Sequence, residues 1–254
     1  MAAFFKELFA VLEAYVRTLR RLFKPGYRRF IALPVFLQFL LLALVTFLAI
    51  RYSNPWLKEL LEKWGWLEGD HGAIIGAVAI AVLYLIQFLL FFSVYKYLVL
   101  ILLAPFLAFL SEKIEKEASG TSVDFSWSQF IRDIFRALRI NLLNIIREFG
   151  LVAILSLLGL LSGLALLAPA LILLVQSYFM GYGILDYNAE RWRYGFRQTE
   201  RWMWQHKGLT LGCGLMFHLI FAIPLVGWIF APVWSVAAGT EAALKVSRTT
   251  TGGR

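Results

Sequence analysis

Two apolar stretches of the chain are interrupted by proline near their midpoints. Residues 150–178 contain Pro169, and residues 208–240 contain Pro224 and Pro232. A helix rises about 1.5 Å per residue, so the hydrocarbon core of a bilayer, roughly 30 Å thick, needs about 20 residues. Since proline ends or kinks a helix, each piece is predicted to be too short to cross a membrane.

Such pieces enter a bilayer and turn back, and their bent backbone must be satisfied by protein or by a water-filled cavity. Residues 209–222, for example, would reach only about 21 Å as a helix. The pattern predicts two re-entrant hairpins, over residues 150–183 and 208–241. Transporters and channels use this geometry more than other membrane proteins do.

The composition places the rest of the chain in a membrane as well. Hydrophobic residues make up 60% of the 254 residues, charged residues 16%, and the mean hydropathy is +0.72. A soluble domain is nearer 45–50% apolar and 25% charged. The sequence therefore predicts an all-α integral membrane protein with a single membrane domain over residues 1–254.

Two further apolar segments are long enough to cross the membrane. Residues 28–50 are predicted to form the first transmembrane helix, and residues 73–110 a second that is longer than a bilayer requires. The segment 184–207 is polar and is predicted to lie in the cytoplasm.

Two amphipathic helices accompany these spans, over residues 1–24 and 126–149. In the first, apolar residues recur at helical spacing while most basic residues fall off that stripe. The helix is suited to the membrane interface, but a helix packed on the protein's own cytoplasmic face would show the same pattern.

The net charge of +9 comes mainly from basic residues that flank apolar segments. This placement indicates membrane topology and headgroup contact, not nucleic-acid binding. If two helices span the membrane, only the loop 51–72 lies on the far side. This loop has the fewest basic residues relative to its acidic residues. Both termini of this multi-pass protein are therefore predicted to be cytoplasmic.

The leading candidate site is the start of the first transmembrane helix, at Gly26, Arg28 and Arg29. Free N–H groups at a helix N-terminus attract anions, and guanidinium groups bind tetrahedral oxyanions through paired hydrogen bonds. Gly26 would let the backbone approach the anion closely. The alternative is that the two arginines anchor the helix at the cytoplasmic interface.

A second polar cluster follows residue 185 and contains Arg191 and Arg193. Arg193, Arg197 and Arg201 recur every four residues, so they could form a basic stripe that leads anions toward an entrance. The same spacing is typical of a solvated helix face with acidic neighbours.

Signals for enzymatic chemistry are missing from the sequence. The three histidines are far apart, the single cysteine, Cys213, lies in an apolar run, and no P-loop, Gly-x-Ser-x-Gly or dinucleotide motif occurs. We therefore expect no catalytic residues, metal or other cofactor. Acid pairs inside membrane segments are also absent, which favours a channel or transport driven by later use of the substrate.

Several short motifs, in order, resemble the CysZ sulfate permeases and the related etoposide-induced-protein membrane family. They cover nearly the whole chain: Pro25-Gly26-Tyr27-Arg28-Arg29-Phe30, Leu33-Pro34, Ala104-Pro105-Phe106, Ser111-Glu112-Lys113, Asp186-Tyr187, Glu190-Arg191, Ile223-Pro224-Leu225-Val226-Gly227-Trp228 and Ala231-Pro232.

This resemblance implies two long spanning helices, two pairs of half-penetrating helices, and homo-oligomers (dimers or larger) built from antiparallel protomers. It implies sulfate entry into the cytoplasm for cysteine synthesis, with sulfate bound at Gly26, Arg28 and Arg29. Tyr27 stands where the family usually has leucine or isoleucine. Glu112 is a weaker transfer from the family and joins Arg191 and Arg193 as a candidate for the pore or its entrance.

Our hypothesis from sequence is an inner-membrane permease or channel for sulfate or a similar divalent oxyanion. The alternative is a non-transporting membrane scaffold, because the wider family includes such members. A lipid-modifying enzyme ranks third, since no nucleophile or acid–base pair is placed for that chemistry.

Overall fold

The computed structural model describes residues 2–48, 72–120, 127–161 and 167–251, with single positions at 51, 55, 59 and 63. Within these residues every regular element is helical and none is a strand. A short 3-10 turn, Pro25–Tyr27, joins the first two helices. The helices are α1 (Ala2–Leu22), α2 (Arg28–Leu48), α3 (Gly72–Ser119), α4 (Trp127–Leu161), α5 (Ala168–Arg191), α6 (Phe196–Gln205), α7 (Lys207–Phe221) and α8 (Val226–Thr251).

Packing divides the chain into two units. One comprises Met1–Val35 with Leu100–Arg254, and the other comprises Phe36–Val99. The first unit contains every contact discussed below.

Three helical segments among the described residues are long and apolar enough to cross a membrane. They are Tyr97–Ala118 in α3, Leu138–Gly159 in α4, and Ala168–Arg191, which is the whole of α5. α7 and the segment Pro34–Leu48 of α2 are apolar but shorter. These helices are those of a membrane protein.

The first proline-broken stretch contains longer helices than the sequence pattern predicts. α4 runs unbroken, so the predicted amphipathic helix 126–149 and the first arm of the hairpin 150–183 form one helix. Pro169 stands in the first turn of α5, where its missing N–H removes no helical hydrogen bond. Because α5 then has 24 residues, the expectation that each piece is too short to span is wrong here.

The second stretch agrees better with the pattern. α7 has 15 residues, so it is about 22 Å long, less than the roughly 30 Å of a hydrocarbon core. The chain turns between Phe221 and Val226, with Leu225 at a φ of 61°. Pro232, however, lies inside α8, so the predicted second break is wrong; a proline inside a helix usually kinks it and does not end it.

The polar segment predicted over residues 184–207 is divided between two helices. α5 continues to Arg191, and residues 184–189 are buried within the unit. α6 then presents an exposed basic face. The polar residues near Asp186 therefore belong to the core and not to a solvated segment.

Glycines allow α5 and α7 to meet backbone to backbone. A Cβ added to Gly181 would lie 1.8 Å from the carbonyl oxygen of Thr210, and one added to Gly214 would lie 1.7 Å from that of Ser177. No side chain fits at such distances. This contact is the centre of the unit's helix packing, since close backbone approach of helices requires the smallest residues.

Helix α1 packs against α7 and α8, and its position relative to the membrane interface stays a prediction. Val11, Ala14 and Tyr15 are buried on that side. The Tyr15 hydroxyl donates to the carbonyl of Cys213, and the Trp234 indole donates to the carbonyl of Tyr15. A separate apolar stripe on the other side of α1 remains exposed: Phe5, Phe9, Leu12, Val16 and Leu19.

Candidate functional site

The chain between α1 and α2 bends through a continuous set of backbone hydrogen bonds. The N–H of Tyr27 donates to the carbonyl of Lys24 (2.9 Å), and the N–H of Arg28 donates to the carbonyl of Pro25. Pro25 fits at the start of the turn because proline carries no N–H and its φ is preset. Arg28 then begins α2 with its side chain exposed.

A lysine of α3 reaches this junction. Lys113 Nζ donates to the carbonyl oxygen of Gly26 at 3.0 Å and lies 4.6 Å from the centre of the Tyr27 ring. The Glu117 carboxylate is 3.9 Å from the same nitrogen. The neighbouring Glu112, a weaker candidate from the family resemblance, is half-buried on α3. Lys113 is therefore a candidate residue at this junction that sequence reasoning did not single out.

Tyr27 is a buried residue of the junction. Burial together with the Glu117 carboxylate raises the pKa of the phenol above its ordinary value of 10.0. The phenol therefore stays neutral at physiological pH, and it adds no negative charge beside the basic residues.

The three predicted binding residues, Gly26, Arg28 and Arg29, lie within four positions of the chain at the junction. Gly26 is not in a left-handed conformation, and a Cβ added there would meet only Lys113 Nζ, at 3.3 Å. Arg29 is the second residue of α2, but its side chain is outside the described part of the structure. The exposed Arg28 guanidinium and Lys113 ammonium give this surface its positive charge.

Arg191 lies in a different cluster, formed by α3 and α5. Its Nε donates to a carboxylate oxygen of Glu115, and one Nη donates to Asn188 Oδ1 at 2.9 Å. The Trp192 indole donates to the second oxygen of Glu115 at 3.3 Å. Arg193, by contrast, is exposed in the turn after α5 with a φ of 55°. The structure thus does not bring the two predicted entrance arginines together.

Two donors of this cluster are unsatisfied. Nη1 of Arg191 and Nδ2 of Asn188 are both buried and have no hydrogen-bond partner among the described residues. They belong to side chains that are hydrogen-bonded to each other, so they lie within a few ångströms. Since neither nitrogen can accept a hydrogen bond, the group that satisfies them must be an acceptor, such as water or an oxyanion.

The adjacent pair of Arg136 and the buried Asp186 makes more hydrogen bonds, although Arg136 Nε is also buried without a partner among the described residues. Arg136 donates to Asp186 Oδ1 (3.1 Å), to Thr199 Oγ1 (3.1 Å) and to the carbonyl oxygen of Tyr194 (2.6 Å). These bonds tie α4, α5 and α6 together at one point. We assign this pair a structural role.

The last turns of α3 connect the two basic clusters. Lys113 faces the α1–α2 junction and Glu115 faces Arg191, from positions two residues apart on the same helix. Arg248 of α8 donates to the carbonyl oxygen of Ala118 at 2.7 Å and so caps this end of α3. The two partners depend on tertiary packing.

A second helix N-terminus in the same unit carries a carboxylate. Glu7 of α1 accepts hydrogen bonds from the N–H groups of Gly208 (3.1 Å) and Leu209 (3.3 Å) at the start of α7. Its other oxygen lies 2.6 Å from His206 Nδ1. This site is filled from within the protein. Among the described residues, no group of three or more His, Cys, Asp or Glu side chains could hold a metal ion.

Comparison with known proteins gives a consistent result over most of the chain. The profile of the family described as Sulfate transporter CysZ/Etoposide-induced protein 2.4 matches residues 14–232. The relative named Sulfate transporter CysZ from Pseudomonas paraeruginosa is 27% identical over 225 residues, which cover 87% of this chain and 89% of the relative.

Other relatives with the same name have similar coverage. That from Pseudomonas fluorescens strain Pf-5 is 28% identical over 227 residues (87% of this chain, 88% of the relative). That from Pectobacterium atrosepticum is 22% identical over 220 residues (85% and 78%). These relatives are named as transporters and not as enzymes. The chain therefore belongs to the Sulfate transporter CysZ/Etoposide-induced protein 2.4 family.

Proposed function

We propose that this protein lets sulfate, or a similar divalent oxyanion, cross the inner (plasma) membrane into the cytoplasm, where cysteine biosynthesis uses it. The observation that carries this proposal is the similarity over 87% of the chain to relatives named Sulfate transporter CysZ. The transporter acts as a homo-oligomer. Light scattering of the purified protein measures its mass and so tests the oligomeric state.

Capture of the anion is assigned to the α1–α2 junction. Arg28 is exposed there and Lys113 holds the Gly26 carbonyl, so two cations described by the structure flank the start of α2. Arg29 adds a third positive charge next in sequence. A divalent anion gains charge-assisted hydrogen bonds from guanidinium groups, each worth about 1.5–3 kcal/mol.

Passage beyond the junction is assigned to the cluster around Arg191. Its two unsatisfied buried donors, Arg191 Nη1 and Asn188 Nδ2, suit an acceptor-only ligand such as sulfate. Glu115 balances the arginine charge, so the anion is bound weakly enough to leave. Weak binding at successive sites is what conduction requires.

The hairpin formed by α7 and α8, residues 208–241, is proposed to enter the bilayer and return to the cytoplasmic side, with both termini cytoplasmic. The length of α7 supports this arrangement. Single cysteines in a Cys213→Ala background test it, because the native cysteine is then absent. A cysteine at position 224 that reacts from outside intact cells would reject it. The same assay at position 167 decides whether the pair formed by α4 and α5 spans the membrane.

Flux of radiolabelled sulfate into liposomes containing the purified protein tests the function itself. We expect uptake above that of empty liposomes, reduced to that level by Arg28→Ala with Arg29→Ala. If a folded sample gives no flux, the transport proposal fails and the scaffold alternative is favoured.

A further inference from the structure

The outer face of α4, beside α5 and α6, holds an open groove of about 560 Å³. Its lining is apolar at one end, with Leu151 and Ile154. At the other end it is polar, with Arg147, Glu200 and Trp204. Arg147 and Ile154 are seven residues apart on one helix, so the two ends are separated by about 10 Å. The groove is therefore amphipathic along its length.

The apolar end lies on residues 150–159 of α4, which carry no charged side chain. Ile154 is 56% exposed and Leu151 is 43% exposed, and both side chains line the groove. Within a bilayer, an exposed surface of this kind contacts the lipid acyl chains, because its side chains have no polar group that needs a hydrogen-bond partner.

The polar end has the side chains typical of the headgroup level. Trp204 is 65% exposed, lies 6.4 Å from the Tyr178 ring and has Lys207 Nζ 5.1 Å above its own ring. Tryptophan and tyrosine are enriched at this depth because their rings are apolar and their N–H and O–H groups are polar.

The charges at this end favour an anion. Arg147 pairs with Glu200 at 3.0 Å, but its side chain is still 40% exposed, so its guanidinium has donors available for a second acceptor. The exposed Lys207 places its ammonium over the ring of Trp204 at this end. Two cations, Arg147 and Lys207, therefore accompany one carboxylate.

Gly150 leaves the floor of the groove open. A Cβ added to Gly150 would meet nothing within 4 Å. The space along α4 is consequently wide enough for a chain of methylene groups between the polar and apolar ends.

We propose that this groove is a binding site for one anionic glycerophospholipid. The phosphate lies against Arg147 and Lys207, and one acyl chain runs past Gly150 toward Ile154. This site is separate from the sulfate residues, so the proposal does not rest on the transport function.

Native mass spectrometry of the detergent-solubilised protein tests the headgroup end. With equal amounts of phosphatidylglycerol and phosphatidylcholine of the same chain length, we expect preferential retention of one phosphatidylglycerol. The double variant Arg147→Ala/Lys207→Ala should reduce that retention at least about fivefold, since each cation near an anionic lipid contributes about 1 kcal/mol. The control Arg20→Ala/Lys116→Ala removes the same charge from exposed positions elsewhere and should retain the lipid.

The variant Gly150→Leu tests the acyl-chain end. It fills the groove and improves helix propensity, so the protein should fold and lose retention of both lipids. Ser156→Leu adds a similar side chain at an exposed α4 position outside the groove and should leave retention unchanged.

Three results would overturn the proposal. The first is equal retention of the two lipids by the wild-type protein, and the second is equal retention of phosphatidylglycerol by the two double variants. The third is a dimer of the wild-type protein that dissociates in Gly150→Leu at every lipid concentration. The last result would assign the groove to a second copy of the chain.

Discussion

Helices α7 and α2 both begin beside a charged side chain from another helix, but the two charges have opposite signs. At α7, the carboxylate of Glu7 accepts from two backbone N–H groups and contacts His206. At α2, the ammonium of Lys113 binds the Gly26 carbonyl, and Arg28 is exposed beside it.

The two sites use the positive electrostatic potential at the start of a helix in different ways. The start of a helix carries about half a positive charge and favours anions. At α7 a carboxylate of the protein satisfies that preference and joins α1 to α7. At α2 two cations, Arg28 and Lys113, lie beside the start of the helix instead, and we propose that they attract an external anion. The binding role of Gly26, Arg28 and Arg29 remains a prediction, and the following experiments test the contrast.

The largest effect is expected from the double change Arg28→Ala/Arg29→Ala. Loss of two charge-assisted hydrogen-bonding groups should weaken sulfate binding by about 100-fold or more, because 1.4 kcal/mol corresponds to tenfold. Isothermal titration of the purified protein measures it. The melting temperature should change little, and an unchanged sulfate affinity would remove these residues from the site.

The opposite result is expected for Glu7→Ala. Removing the carboxylate leaves two N–H groups at the start of α7 without their acceptor, so the free energy of unfolding should fall by about 1–3 kcal/mol. Thermal unfolding in detergent measures the loss. Sulfate affinity of the folded protein should stay within about twofold of the wild type; a large drop would mean that the two helix starts are not independent.

Lys113→Met sharpens the comparison at the α2 end. Methionine keeps much of the side-chain volume but removes the charge and the hydrogen bond to Gly26, so sulfate affinity should fall by about tenfold. Lys116→Met, on the exposed side of the same helix, is the matched control. Equal effects of the two changes would show that only net charge matters.

Gly26→Ala should have a smaller effect. The added methyl group would meet only the flexible end of Lys113, at 3.3 Å, so the lysine can move and sulfate affinity should change by less than about threefold. If affinity is lost as in the arginine variant, sulfate must contact the Gly26 backbone directly.

The smallest effect concerns pH and the attachment of α1 to α8. The hydrogen bond from Lys245 and the charge of Arg17 lower the pKa of Glu13 below its ordinary value of 4.5. Its contribution to stability is therefore present above pH 4.5 and is lost as the pH falls through the lowered pKa. Between pH 5 and pH 3, the melting temperature should fall slightly more for the wild type than for Glu13→Gln. Identical pH dependence would show that this ion pair contributes nothing.

Sequence patterns predicted the helical fold because long apolar segments leave few alternatives in a membrane. The segments predicted as transmembrane helices, 28–50 and 73–110, are helical in the structure as α2 and α3, and their crossing of the membrane stays a prediction. They failed at Pro169 and Pro232 because proline ends a helix only where its ring and missing N–H cannot be accommodated: Pro169 fits in a first turn, and Pro232 lies inside α8.

For the candidate site, sequence located the basic residues but not their partners. The order of Gly26, Arg28 and Arg29 at the start of a helix was visible in the chain. Lys113 was not, since 87 residues separate it from Gly26. Arg191 and Arg193 seemed equivalent in sequence, yet one lies beside Glu115 and the other in solvent.

The sequence by itself determined that this chain is a helical membrane protein with arginines at the start of α2, because hydropathy and charge are properties of each segment alone. Only the tertiary structure decided which helix N-terminus receives a carboxylate and which keeps its positive charge. Glu7 meets α7 across 201 residues, and that contact depends on the glycine-mediated packing of distant helices. The physical reason is that the interaction between two charges depends on the distance between them in space, and folding sets that distance.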